Sequence, residues 1–315
     1  MKILITGVHG FVGSNLVEYM APDNEIYGLD IIAPEKSGVI KTYSWDDLDA
    51  GKVPEVDAIV HLAGKAHDTK NQTVADIYFK VNTGLTQKIF DYFLAHEGIK
   101  KFVFFSTAKA AADKVEGILT EDVNPSPVGP YGESKIEAEK YLLSKMEEVR
   151  SKSKDVYIFR PCMIHGPGNK GNLNLLYGVV KKGIPWPLGA FENRRTFTSV
   201  ENICFAVNGV LTKDVSSGIY NMGDDEALST NELIEEICKS LGKKAHIWKL
   251  PKGLMTGLAK LGGILHLPLN PERLQKLTEN YVSSNAKIKA ALGIDQLPVR
   301  AKDGLRKTIK SFAEK

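Results

Sequence analysis

A doubly wound α/β fold built on a parallel sheet is what this sequence predicts, and three observations carry the prediction. Short apolar runs recur through the first half, at 2–6 (KILIT), 25–30 (EIYGLD), 57–63 (DAIVHLA), 101–106 (KFVFFS) and 156–160 (VYIFR). They are rich in Val, Ile and Phe and lack polar alternation, as strands buried on both faces do. Between them FVGSNLVEYM, VADIYFKVNTGLTQKIFDYFLAH and YGESKIEAEKYLLSKMEEV show helical spacing. Lastly, Gly7, Gly10 and Gly13 stand at the junction of the first strand and its helix. Strand–helix alternation with right-handed crossovers yields a sheet with helices on both faces.

Bulk properties bound the rest. A chain of 315 residues with 43% hydrophobic and 25% charged residues is an ordinary globular protein of one large or two modest domains. A net charge of +3 gives no reason to expect nucleic acid or an anionic membrane as the main partner. Cys162, Cys204 and Cys238 are odd in number and far apart, with no C-x-x-C pair. They suit small buried hydrophobes in a reducing compartment, and neither a disulfide framework nor a metal site is expected. The opening MKILITG runs straight into a strand pattern, unlike a signal peptide. The most apolar later stretch, 253–269, is interrupted by Lys260, His266 and Pro268, too short and polar to span a bilayer. A cytoplasmic protein is expected.

Beyond about residue 165 the alternation weakens, and Gly and Pro gather in HGPGNKGN and KKGIPWPLGAFENRR. Further on, LSTNELIEEICKSLG carries a helix start with Ser229 as N-cap and Glu232 three residues later, a capping box. The expected division is a first domain over 1–165, completed by part of 196–215, and a smaller, mostly helical lobe over 166–315.

Three clusters carry chemistry. In TGVHGFVGSNL the glycines let the backbone turn tightly and approach a pyrophosphate lying on the helix N-terminus. Asp30 ends the next strand, where an acid that binds a ribose belongs. The apolar Ile31, Ile32 and Ala33 follow it, with no arginine for a 2′-phosphate, which favours NAD over NADP. In FFSTAKAA (104–111), Ser106 or Thr107 closes a strand and faces the crevice where open α/β sheets bind ligands, or else caps its own loop. In VGPYGESKIEAEKYL, Tyr131 and Lys135 stand four apart, on one helix face. An ammonium beside a phenol favours the phenolate, lowering its pKa from the ordinary value of about 10 toward neutrality. Spacing alone favours two ordinary surface residues of an amphipathic helix, because Y-x-x-x-K is common.

Together these motifs, with HLAG (61–64), the VN that ends in Asn82, RPCMIHGPG (160–168), GNLNLL (171–176), PLG (187–189) and NRRTFTSVEN (193–202), resemble the extended short-chain dehydrogenase/reductase family. The resemblance is to its NAD-dependent nucleotide-sugar epimerase/dehydratase branch and covers nearly the whole chain. It implies a Rossmann-type first domain that binds NAD or, less readily, NADP. Gly7, Gly10, Phe11, Val12, Gly13 and Asp30 would hold one part of the cofactor, and Leu62, Ala63, Gly64, Asn82, Tyr131, Lys135 and Pro161 the remainder. Tyr131 would exchange a proton with the sugar, Lys135 would tune it and bind the nicotinamide ribose, and Thr107 would assist. Asn172 and Arg195 would bind the nucleotide diphosphate, with Arg194 as a substitute and Arg273 and Lys109 as further candidates. A homodimer through two helices per subunit is expected from the resemblance alone.

One departure narrows the reaction. The 4,6-dehydratases of the family carry an acid directly after the catalytic Ser or Thr, since losing water requires protonating the leaving hydroxyl. Here Ala108 stands in that place, followed by Lys109. STAK together with GPGNKGN and PLGAFENRR most resembles a bacterial subgroup acting on UDP-sugars in surface-polysaccharide synthesis. Its members are C4 epimerases or C4 reductases of UDP-4-keto-6-deoxy-HexNAc. A binding or NAD(P)-sensing protein of the same fold is the alternative, but a sensor would have no use for the intact Tyr131, Lys135 and Thr107.

Overall fold

The computed structural model describes residues 1–66, 74–169, 171–265 and 269–313. Its strands are β1 (Lys2–Thr6), β2 (Glu25–Leu29), β3 (Lys41–Tyr43), β4 (Ala58–His61), β5 (Lys101–Phe105), β6 (Ile118–Leu119), β7 (Asp155–Pro161), β8 (Met163–His165), β9 (Phe197–Ser199), β10 (Gly218–Met222) and β11 (Val282–Ser283). Seven form one parallel sheet in the order β10-β7-β5-β4-β1-β2-β3. Apolar runs without alternation appear there because helices cover both faces. Ile3, Ile5 and Val60 face one core with Phe159 and Val207, whereas Leu4, Ile59, Phe102 and Phe104 face the other with Phe90 and Phe93.

The order reverses between β1 and β4, and the register there positions the site. Thr6 pairs with both Leu29 and His61, and His61 with Phe104. The carboxyl ends of four strands therefore finish in line, and the residues after them (Gly7, Asp30, Leu62 and Ser106) emerge along one edge. That edge is the crevice in which such sheets bind ligands.

Several elements differ from the sequence expectation. The chain returns to the sheet over 200–222, further than the expected 196–215. Helix Val200–Thr212 buries Ile203, Val207 and Val210 against β1 and β7, and β10 pairs with β7 beyond it. The long helical pattern starting near residue 74 divides into Ala75–Tyr78, a π-helical stretch Phe79–Gly84 and Leu85–Ala95. The wider turn places Asn82 and Thr83 inside, and such bulges are frequent at functional sites. The Tyr131 helix spans Pro130–Ser144 and is followed by a separate helix, Met146–Ser151.

The capping box at Ser229 and Glu232 is present at the start of helix Thr230–Ser240. That helix, with Asn172–Lys181, Lys252–Ile264, Pro271–Thr278 and Ala301–Ala313, encloses a third core around Leu233, Ile237, Trp186 and Leu305. Cys162, Cys204 and Cys238 are buried and unpaired. Among the described residues no helix is long and apolar enough to cross a membrane.

Candidate active site

After β1 the chain turns at Gly7, whose φ of +69° lies in the left-handed region. A Cβ there would stand 2.9 Å from the Ala63 nitrogen, and one at Gly13 would stand 2.9 Å from the Val8 carbonyl carbon and press on the Gly7 oxygen. The loop thus lies flat on its neighbours and presents backbone. Helix Phe11–Met20 begins at Gly10 with no side-chain cap and no acid in its first turn, so its leading N–H groups are left for an anion. Phe11 and Val12 pack their side chains on the core beneath. The Asp30 carboxylate accepts from the His9 N–H (3.1 Å) and the Ile31 N–H (2.7 Å), which sets its direction and leaves acceptor capacity. Lys36 donates to the Ser14 hydroxyl at 3.0 Å, bringing a cation to the first turn of the helix. Ile31, Ile32 and Ala33 conceal it in the sequence, because only the loop's path returns Lys36 to Ser14. A flat glycine floor, an uncapped helix and a fixed acid fit the pyrophosphate and ribose of a dinucleotide.

Next to this loop, fully buried His61 uses both ring nitrogens. Nδ1 meets the Thr6 hydroxyl at 2.7 Å and Nε2 the Thr86 hydroxyl at 2.9 Å. Thr86 gives its proton to the Asn82 carbonyl (2.6 Å), so it must accept from Nε2–H. Nδ1 is then the acceptor for Thr6, whose oxygen accepts from the Ala63 N–H at 3.0 Å. The imidazole is neutral, and burial, with nearby Lys135, holds its pKa well below the ordinary value. Asn82 continues the chain. Its Oδ1 accepts from the Lys65 N–H (2.7 Å), and its Nδ2 donates to the Lys65 carbonyl (3.1 Å) and the Ser134 hydroxyl (3.0 Å). Ser134 in turn donates to the Tyr131 carbonyl at 2.9 Å. Asn82 is fully buried and acts between the 62–65 loop and the Tyr131 helix as a positioning residue. Leu62 donates its N–H to Thr6 at 3.2 Å, and a Cβ on Gly64 would stand 3.2 Å from Lys135 Nζ.

The structure brings Tyr131, Lys135 and Thr107 together, with one correction. Burial raises the Tyr131 pKa above its ordinary value, while a hydrogen bond from Thr107 opposes the rise in part. Lys135 does not lower it, because its ammonium is engaged elsewhere: Nζ donates to the Phe105 carbonyl at 2.8 Å and lies 4.9 Å from the centre of the Phe104 ring. Shared helix face is not shared contact. Burial brings Lys135 down to about 8 against the opposing pull of Glu139. Thr107 also accepts from the Lys109 N–H at 3.3 Å as N-cap of the short helix Ala108–Ala111, so the capping and crevice expectations both describe it.

Ser106 points the other way, and its partners escaped the sequence reading. It donates to Glu139, one turn beyond Lys135, and the same fully buried carboxylate accepts from Arg160 Nε (3.0 Å) and Nη2 (2.5 Å). Glu139 thereby ties β5, β7 and the Tyr131 helix together. A buried acid eight positions after the tyrosine was the available signal, but helix patterning reads it as a solvent-facing residue. Pro161 lies at the end of β7 next to β10.

On the substrate side, Lys109 binds Asp113 (3.0 Å) and lies 4.8 Å from the centre of the Tyr281 ring. Arg195 is the inward one of the arginine pair: it donates to the Lys276 carbonyl and lies 3.8 Å from Glu279. Arg194 is on the surface against Glu232 at 3.2 Å. The Arg195 backbone bridges Tyr281, the residue whose ring lies under the Lys109 ammonium, so both cations stand beside Tyr281. Arg273 is exposed on helix Pro271–Thr278. Asn172 opens helix Asn172–Lys181, and its side chain lies outside the described residues.

Residues 3–223 match the family model described as the NAD dependent epimerase/dehydratase family. The chain belongs to that family. It is 32% identical over 273 residues to a UDP-glucose 4-epimerase of Vibrio cholerae, covering 79% of this chain and 78% of the relative. It is 28% identical over 296 residues to N-acetyl-alpha-D-glucosaminyl-diphospho-ditrans,octacis-undecaprenol 4-epimerase of Escherichia coli O157:H7, covering 91% and 84%. The crystal structure of UDP-glucuronic acid 4-epimerase from Bacillus cereus in complex with NAD shares the fold, with a TM-score of 0.75 and 20% identity over 100% of this chain and 99% of that one. This member of the epimerase/dehydratase family is accordingly an NAD-dependent enzyme of the nucleotide-sugar epimerase/dehydratase type.

Three outcomes are expected of this site. Gly13→Ala should weaken NAD binding by about a hundredfold in calorimetric titration, equivalent to about 2.7 kcal/mol, while Gly178→Ala, which meets nothing within 4 Å, should leave it unchanged. Arg160→Met strands the Glu139 carboxylate and should cost about 3–5 kcal/mol in urea denaturation, partly recovered when Glu139→Gln is added. In NMR of lysine labelled at Cε, the resonance missing from Lys135→Met should titrate with a midpoint of about 8. Since that value is depressed from the unfolded one, the wild type should gain stability relative to Lys135→Met as pH rises through 8 toward the ordinary lysine value.

Proposed function

We propose that the protein moves hydrogen at C4 of a UDP-linked sugar, as a C4 epimerase or as a C4 reductase of UDP-4-keto-6-deoxy-HexNAc, in surface-polysaccharide synthesis. The observation that carries this is the gathering of Tyr131, Thr107 and buried Lys135 at the carboxyl end of β5, beside the glycine loop. Bound NAD would supply the two-electron exchange at the sugar carbon. Tyr131 donates its proton to the sugar oxygen when a carbonyl is reduced and is left as phenolate; when a hydroxyl is oxidised first, the phenolate form takes that proton and returns it as the ketone is reduced. Thr107 holds the phenol for that transfer. Lys135, its ammonium fixed on the Phe105 carbonyl, stands where the nicotinamide ribose would be bound.

Ala108 is fully buried among Ala111, Leu119 and Cys162, and offers no acid at the place where dehydration requires one. Lys109 and Arg195 supply positive charge for the diphosphate, with Asn172 and Arg273 as further candidates. The similarity to two named 4-epimerases supports C4 as the reacting carbon.

The test incubates the purified protein with UDP-4-keto-6-deoxy-GlcNAc and NADH. Stoichiometric loss of NADH absorbance identifies a reductase. No loss, with UDP-GlcNAc or UDP-glucose converted to its C4 epimer without added reductant, identifies an epimerase. Tyr131→Phe should retain NAD and lose turnover by roughly 10²–10⁴-fold; a variant as active as the wild type would overturn the proposal, as would silence with all three sugars.

A further inference from the structure

Helix Lys252–Ile264 is held in its lobe by a narrow stripe. Met255, Ala259 and Gly262 are buried, and Gly263 lies against Pro271. Beside that stripe Leu254 (52% exposed), Leu258 (46%), Leu261 (52%), Ile264 (74%) and Leu265 (57%) face outward. At 100° per residue these five fall within an arc of about 120°. Single exposed leucines are unremarkable, but a continuous stripe of five is a contact surface. Trp248 joins it from the preceding segment, 54% exposed, with its backbone donating to the Trp186 carbonyl at 2.8 Å. On the same turn as Trp186, Ile184 is 53% exposed.

Basic charge predominates along the segment that carries this stripe, and the acid that follows it, Glu272, is paired with Lys276 at 2.6 Å. From Lys239 to Pro271 the sequence contains Lys239, Lys243, Lys244, Lys249, Lys252 and Lys260, and no Asp or Glu, although the chain as a whole nearly balances 41 basic against 38 acidic residues. Lys181 and Lys182 adjoin them, since Lys243 Nζ donates to the Lys181 carbonyl at 2.7 Å. All eight lysines are exposed.

We infer that this face docks on an anionic phospholipid bilayer. The leucine stripe enters the boundary between headgroups and acyl chains, Trp248 rests at headgroup depth, and the lysines lie over lipid phosphates. A second copy of the chain suits the face poorly, because a two-fold contact would set lysine against lysine. The amphipathic helix lies on the bilayer and does not cross it, and the basic charge that would hold it there is local, concealed in the net value of +3.

The test is co-sedimentation with vesicles of phosphatidylcholine alone and with about 30% phosphatidylglycerol added. The expected result is binding about tenfold stronger to the anionic vesicles, reduced severalfold at about 0.5 M salt, with a blue shift of tryptophan emission that Trp248→Phe removes. Combining Leu254→Ser, Leu258→Ser and Leu261→Ser should lower binding at least about tenfold, at unchanged thermal unfolding and NAD affinity. Lys249→Glu with Lys252→Glu provides a second variant whose surface location leaves folding intact. Three results would overturn the inference. One is no binding to anionic vesicles at low salt, another is equal binding to neutral ones, and the third is leucine variants that bind as well as wild type. A wild type whose sedimentation velocity reports a dimer that the leucine variants dissociate, without vesicle binding, would assign the face to a second copy instead.

Discussion

A buried imidazole with only one satisfiable arrangement organises the site. At the end of β4, His61 lies out of reach of water, so both ring nitrogens need partners inside the protein. Thr6 supplies one and Thr86 the other, and because Thr86 already donates to Asn82 the proton must reside on Nε2. Every further link follows in one direction: Ala63 to Thr6 to His61 to Thr86 to the Asn82 carbonyl, and the Asn82 amide to Lys65 and Ser134. The chain reaches both the loop that flanks the glycine turn and the helix that carries Tyr131. The glycine turn and Tyr131 thus share one frame, which is how a buried polar network specifies geometry.

Desolvation dominates the electrostatics of that frame. It keeps His61 neutral, raises Tyr131 and draws Lys135 down to about 8. The direct ion pair in this region joins Arg160 to Glu139, behind the catalytic face and not on it. Its bidentate geometry, with Ser106 as third partner, satisfies a carboxylate that would otherwise be costly to bury. Lys135 lies one turn from that carboxylate, so the pair also moderates the charge beside the tyrosine.

The second lobe contributes charge and surface. Lys109 lies over the Tyr281 ring and the Arg195 backbone bridges Tyr281, so both cations stand beside that residue. Arg195 reaches that place because its backbone bridges Leu228 and Tyr281, a placement that its neighbour Arg194 lacks. On the outer side of the lobe the leucine stripe and its lysines face away from the third core. A helix needs only Met255, Ala259 and Gly262 to anchor it, which leaves the rest of its circumference available for another role.

Local signals made the parallel sheet, the glycine turn, the Ser229 capping box and the Tyr131–Lys135 helix legible, because each depends on a few residues near one another in the chain. Strand burial shows as an apolar run, a tight turn as glycine, and a helix start as a cap. Whatever depended on residues far apart remained hidden. Nothing near Asn82 announces the π-helical turn that directs it inward, and nothing in EAEKYL reveals that Glu139 meets Arg160, twenty-one positions later, inside the protein. The choice between Arg194 and Arg195 rests on which side of a two-residue bridge faces the lobe. Sequence alone determined the family, the glycine turn after β1 and the placing of Tyr131 and Lys135 on one helix. Only the tertiary structure decided which partner each charged group keeps, because burial, and not spacing along a helix, sets the pKa values of Tyr131 and Lys135.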